Sequence, residues 1–328
     1  MAELTKKDRA MGSIVGMFVG DALGLGPHWY YDLNELRKDY GEWISDYMQP
    51  KTGRYHDGCR AGDVSQTGQV SLLLLQSLAV KGKYEELDFT EKLDGFLGTL
   101  DGTPNGGRYT DIAMREVWEA RKVGLAWDEA AGLSDSGEAA IRGVMLAARY
   151  ANKPRDLAAH VMGNVHLTHA EPFIQAQSLA FVLAVCRLVR GKSLESSGKS
   201  LMGWAQHEVD RALIDVFLQP GFVHGVATNP EVVIEPPHAI AQVYGLACQL
   251  GFMVPAAYWL ACRFYGDFET AVLTAINGGG NNMARACMTG ALSGAMVGIQ
   301  GIPQRFIDGL QDKKEILENA EKVASSLE

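Results

Sequence analysis

Near its C-terminus the chain reads Asn277-Gly278-Gly279-Gly280-Asn281-Asn282-Met283-Ala284-Arg285, a glycine triplet that opens onto amides and a guanidinium. Glycine-rich turns at the start of a helix present free backbone N–H groups at the positive end of the helix dipole, a cradle for phosphate or carboxylate. This predicts a ligand cleft made from Asn277, Gly279, Gly280, Asn281, Asn282 and Met283. Arg285 is the expected anion partner, because a guanidinium grips such groups with two parallel bonds. The competing reading of the same residues is a plain turn and helix cap, with Arg285 in a surface pair.

A second polar stretch, Ser65-Gln66-Thr67-Gly68-Gln69, opens another helical block and joins the expected cleft through Ser65, Gln66 and Thr67. His56, Asp57, Cys59 and Asp63 precede it in a glycine-rich loop, so Asp57 and Asp63 are candidate general acids or bases. A solvated surface loop is the alternative there. The run His28-Trp29-Tyr30-Tyr31-Asp32 could stack on an adenine or nicotinamide ring, or simply fill the core. Asp111 and Arg115, four apart, read as a structural pair on one helix face. His166, His169 and Glu171 sit together without completing a metal-ligand spacing. The five cysteines are scattered and odd in number. They suggest neither a disulfide framework nor a zinc site, and hence a reducing compartment.

The elements that must position these groups are helical. Met11, Ile14, Val15, Phe18 and Ala22 follow helical spacing, as do Leu72, Leu75, Leu78 and Ala79, and Ala139, Val144, Ala147 and Ala148 with small slips. Val232-Val233-Ile234 is the best strand-like run, but Pro236 and Pro237 close it and a loop is expected. Breakers fall at 101–107, 192–199 and 220–237, none long or polar enough for an interdomain linker. The expectation is an all-α fold, one compact helical domain over 1–328. Gly12, Gly16, Gly20 and Gly24 form a ladder, and Gly290, Gly294 and Gly298 another. Each glycine costs a helix about 1 kcal/mol relative to alanine, so the ladders predict buried helices whose backbones approach closely.

With 47% hydrophobic and 21% charged residues the composition is that of a soluble globular protein. A net charge of −9 without a basic run argues against nucleic acid and anionic membrane as partners. The charged N-terminus lacks a signal-peptide core, and the longest apolar stretch, taken as 251–261, is short for a membrane span. These features predict a cytoplasmic protein.

The order Gly20-Asp21-Ala22-Leu23-Gly24, Ala139-Ala140-Ile141-Arg142, Leu167-Thr168-His169 and the terminal Gly279-to-Ala295 pattern resembles the ADP-ribosylglycohydrolase family across most of the chain. That resemblance implies an all-helical fold, an ADP-ribose-like ligand, and two magnesium ions held by aspartates. It also implies where those aspartates would stand, and there this chain carries Gln66, Thr67, Asn281 and Met283 instead. Neutral amides, a hydroxyl and a thioether do not compensate two dications, so no metal and no cofactor are expected. The pattern of losses resembles the branch of J-type lens crystallins and selenoprotein J. The resemblance implies a noncatalytic, crystallin-like protein, or a hydrolase of ADP-ribosyl adducts or a related nucleotide sugar with a rebuilt, metal-independent site.

Overall fold

The computed structural model describes residues 4–100, 108–197, 201, 203, 204 and 225–327. Its first helix, α1 (Lys6–Leu25), starts where Thr5 and Asp8 cap each other's backbone N–H groups, and is buried along nearly all of its length. The chain continues through α2 (Leu33–Tyr40), α3 (Gln66–Lys81), α4 (Glu86–Leu97), α5 (Ile112–Lys122), α6 (Glu138–Tyr150), α7 (Pro154–His166) and α8 (Pro172–Val189). Beyond the breaker at 220–237 follow α9 (Ile240–Tyr244), α10 (Leu250–Arg263), α11 (Phe268–Asn277), α12 (Asn282–Val297), α13 (Gln304–Gly309) and α14 (Lys313–Ala324). Among the described residues there are no strands, only isolated bridges such as Tyr30 to Gly280. The expected helical fold stands, and Val232-Val233-Ile234 is loop.

The axis of the molecule is the pair α1 and α12, drawn from opposite ends of the chain and packed along their lengths. The glycine ladders are what allow it. A Cβ placed on Gly12, Gly16 or Gly20 would lie 2.2 Å from the carbonyl oxygen of Gly294, Gly290 or Ala286. The two backbones therefore touch directly, and the helix-propensity cost of glycine is offset by contact that no side chain permits. Gly298 departs from the ladder reading: it is the C-cap of α12, in the left-handed region with φ 70°. Gly16→Ala is expected to destabilise the fold by about 1–3 kcal/mol, overpacking outweighing the propensity gain. Urea or thermal unfolding checks this, and a variant at least as stable as the parent would contradict the packing account.

The apolar run 251–261 lies within α10, and the longer α8, with 18 residues, is by length and composition apolar enough to cross a membrane. In the fold 78% of it is buried against neighbouring helices, principally α6 and α7. The hydrophobicity that composition shows is that of a core helix.

Candidate functional site

Four helices begin at one small cavity: α3 after its N-cap Ser65, α5 after Asp111, α6 after Gly137, and α12 after Asn281. Their positive ends converge, which favours negative charge at the centre. The cavity is small, with about 20 Å³ of free space at its base, room for at least a water-sized group, and it opens to solvent at its mouth. Ser65, Gln66, Thr67, Asn281 and Met283 all line it, as the sequence register anticipates. So do residues that the sequence reading did not select, above all Glu138, Ser136 and Cys248.

Asp21, on α1, anchors the start of α3. Its carboxyl accepts from the Ser65 amide and hydroxyl, each at 2.6 Å, while the Ser65 hydroxyl itself accepts from the Gly68 amide. Burial lifts Asp21 to about 6 in spite of these bonds. Gly68 is needed because a Cβ there would lie 2.5 Å from the Asp21 carboxyl.

The chemistry of the cavity rests on two buried carboxyls. The Thr67 hydroxyl donates to Glu138 Oε1 at 2.5 Å, and the Gln66 amide donates to Oε2 at 3.4 Å. Gln66 turns its own oxygen toward the Asp111 backbone amide at 2.9 Å. Asp111 caps α5 through Ala113 and accepts from the Ser136 hydroxyl at 3.2 Å, and Ser136 in turn meets His169 Nε2 at 3.1 Å. Burial, then the neighbouring Asp111 charge, pushes Glu138 up to about 8. Burial raises Asp111 as well. At neutral pH the pair therefore holds a proton, as adjacent carboxyls do when both cannot ionise. Burial and the same carboxyls push the Cys248 thiol up to about 12, which makes it a poor nucleophile.

His28 and Trp29 form another wall, and His28 is 1% exposed. Its Nδ1 lies 2.8 Å from Nε2 of His56, whose Nδ1 accepts from the Tyr109 amide at 3.1 Å. Burial lowers His28 to about 3, with Asn281 opposing the shift, and drives His56 well below its ordinary value.

A family model for ADP-ribosylglycohydrolase matches residues 2–328. The chain belongs to the ADP-ribosylglycohydrolase family. Its relatives include the ADP-ribosyl-[dinitrogen reductase] glycohydrolase of Rhodospirillum rubrum, 23% identical over 94% of this chain and 92% of that protein. They also include Crystallin J1A of Tripedalia cystophora, 23% identical over 98% of each chain. A solved structure described as an ADP-ribosylglycohydrolase-related protein complex superposes with a TM-score of 0.71 at 20% identity, covering 98% of this chain and 99% of that one. That likeness establishes the shared fold.

The family resemblance raises the question of two magnesium ions, and the donor set here does not fit them. Among the described residues no group of three or more His, Cys, Asp or Glu side chains is placed to hold a metal. Thr67 and Gln66 point donors at Glu138, and the Gln66 oxygen is taken by the Asp111 backbone amide, so neither brings the negative charge that two dications need.

Several residues expected in the cleft do other work. Asp57 is exposed and accepts from the Gly53 amide, and Asp63 accepts from the Arg60 amide and side chain; neither lines the cavity. The carboxyls at the cavity come from helix starts instead. Asp111, read as half of a pair with Arg115, is one of them. In the glycine turn the amide of Gly279 goes to Ile276, that of Gly280 to Tyr30 and that of Asn281 to Leu246, so these three are not free to cradle an anion. Arg285 is fully buried and gives Nε and one terminal nitrogen to the carbonyls of Ala275 and Gly279, tying the turn to α11, while its other terminal nitrogen is buried without a partner. Asn277 clamps the backbone of Ile44, and Asn282 donates to Pro27. The Asn277 and Asn282 amides and the Arg285 guanidinium thus position the turn that carries Asn281.

Proposed function

We propose that this chain is a noncatalytic ADP-ribosylglycohydrolase homologue, a J-type crystallin-like structural protein that works in the cytoplasm. The observation that carries this reading is the closed network around Glu138. Thr67 and Gln66 occupy positions where the family resemblance implies aspartates, and both donate into the buried Glu138 carboxyl. On this reading hydrogen bonds, with a proton on the carboxyl that burial pushes up, stand in place of metal ions. Sequence identity does not choose between roles, since the glycohydrolase and the crystallin are equally distant at 23%. The hydrogen-bond network around Glu138 is what supports the structural role. A net charge of −9 suits a protein that must stay soluble when concentrated.

The test is release of ADP-ribose from ADP-ribosyl-arginine by the purified protein, with and without magnesium. Loss of even one preorganised stabilising group costs an enzyme about 100 to 1,000-fold, so loss of both metals takes turnover below detection. Release at a rate comparable with the dinitrogen reductase glycohydrolase would overturn the noncatalytic reading. Its abolition by Glu138→Gln or Asp111→Asn would then identify a rebuilt, metal-independent hydrolase.

A further inference from the structure

The pair His28 and His56 fixes the polarity of one cavity wall. A backbone N–H can only donate, so Nδ1 of His56, 3.1 Å from the Tyr109 amide, carries no proton. A neutral imidazole then bears its single hydrogen on Nε2, and that nitrogen lies 2.8 Å from Nδ1 of His28. His56 therefore donates to His28, and His28 must carry its own hydrogen on Nε2. The reverse arrangement would leave His56 without any proton. Nε2 of His28 is buried, on a ring that lines the cavity, and no protein atom meets it in full hydrogen-bond geometry, although the Asn281 amide stands close enough to oppose the lowering of this ring's pKa. His56 is held at φ 65°, the left-handed region that a histidine seldom adopts, so the backbone bears strain to seat this ring.

We propose that the cavity is a recognition site for one uncharged polar group that both accepts and donates hydrogen bonds, such as a primary carboxamide. The His28 Nε2–H is the fixed donor, and Asp111 and Glu138 are the acceptors. A cationic amidinium or guanidinium brings only donors and would face the His28 N–H with another N–H. A carboxylate satisfies His28 but meets the charge of the carboxyl pair. A carboxamide gives its oxygen to His28 and its NH2 to the carboxyls, and its planar head suits a space walled by Trp29 and Tyr109, whose rings stand at 81° to one another. This inference is independent of the noncatalytic reading, because a hydrolase and a structural protein could equally hold such a group.

Formamide, formate and formamidinium are nearly isosteric, with three heavy atoms each, and separate the three alternatives. Nitrogen-15 NMR of the histidine side chains in the full-length protein should show His28 as a single tautomer with hydrogen on Nε2. Formamide should perturb that resonance saturably, with a midpoint at least about tenfold below those of the two charged probes, since a charged probe leaves one buried polar wall unmatched. His169, which already bonds Ser136 and Thr168, should not respond. His56→Asn removes the imidazole while tolerating the positive φ, and should release His28 into mixed tautomers and erase the preference for formamide. The wild-type measurements stand alone if that variant does not fold. Hydrogen on Nδ1 of His28, an imidazolium, equal or tighter binding of either charged probe, no saturable response to any of the three, or an unchanged preference in a folded His56→Asn protein would each overturn the proposal.

Discussion

Glu138→Gln is expected to leave stability nearly unchanged at pH 5 and to raise it by roughly 2 to 4 kcal/mol at pH 9. The sign follows from the direction of the shift. The folded state lifts the Glu138 carboxyl from 4.5 to about 8, so it binds the proton more tightly than the unfolded chain does. The stability this proton confers is complete below about 4.5 and is lost as pH rises through about 8. Glutamine is neutral throughout and has no charge to bury, although its NH2 cannot accept as the second carboxyl oxygen does, so the gain is smaller than the pKa shift alone implies. It also relieves Asp111 of a neighbouring charge, so Asp111 should titrate lower in the variant. Thermal unfolding at pH 5, 7 and 9 reads the effect. A variant less stable than the parent at pH 9 would show that Glu138 is held as an anion, and its raised, protonated carboxyl would have to be abandoned.

The second large effect concerns charge restored. Changing Gln66, Thr67, Asn281 and Met283 together to aspartate places four carboxyls beside Asp111 and Glu138 and removes the Thr67 and Gln66 bonds. Without metal this should cost about 3–5 kcal/mol, the range for uncompensated buried charge. An aspartate in place of Asn281 would still serve as a helix cap, so the loss comes from repulsion and desolvation more than from unwinding. Magnesium should recover part of the melting temperature in the variant and none in the parent, because a ligand that binds only the folded state raises apparent stability. A melting temperature indifferent to magnesium in the variant would mean that the surrounding hydrogen bonds no longer suit a metal. An equal response in the parent would contradict the account of its donor set.

How much of this was legible beforehand differs from residue to residue. The glycine ladders announced the α1 to α12 contact because four-residue spacing on a helix admits one geometric meaning, a shared bare face. Ser65, Gln66, Thr67, Asn281 and Met283 were legible because each lies in a run that opens a helix, and the family register brings those two openings together. Glu138 and Asp111 were not. Each is a single acid at the start of its own helix, in a separate stretch of the sequence, and nothing local says that the two starts meet. The signal available was Gly137-Glu138 directly before the Ala139-Ala140-Ile141-Arg142 helix, a helix start with an acid in its first turn. Arg285 misled for the opposite reason. Nothing in the spacing showed that backbone carbonyls would take two of its three nitrogens. The glycine triplet misled similarly, since the amide of Gly280 is claimed by Tyr30, and that of the following Asn281 by Leu246, both from other segments of the chain.

The central claim is a cavity whose charge is met by a proton and by neutral donors where relatives of its family are expected to use metal. Calorimetric titration of magnesium into the purified wild-type protein at pH 7 addresses that claim directly. The account predicts no saturable heat up to millimolar magnesium, while Glu138 retains its proton. Saturable binding of two magnesium ions per chain at near-physiological concentration, with release of protons, would contradict it.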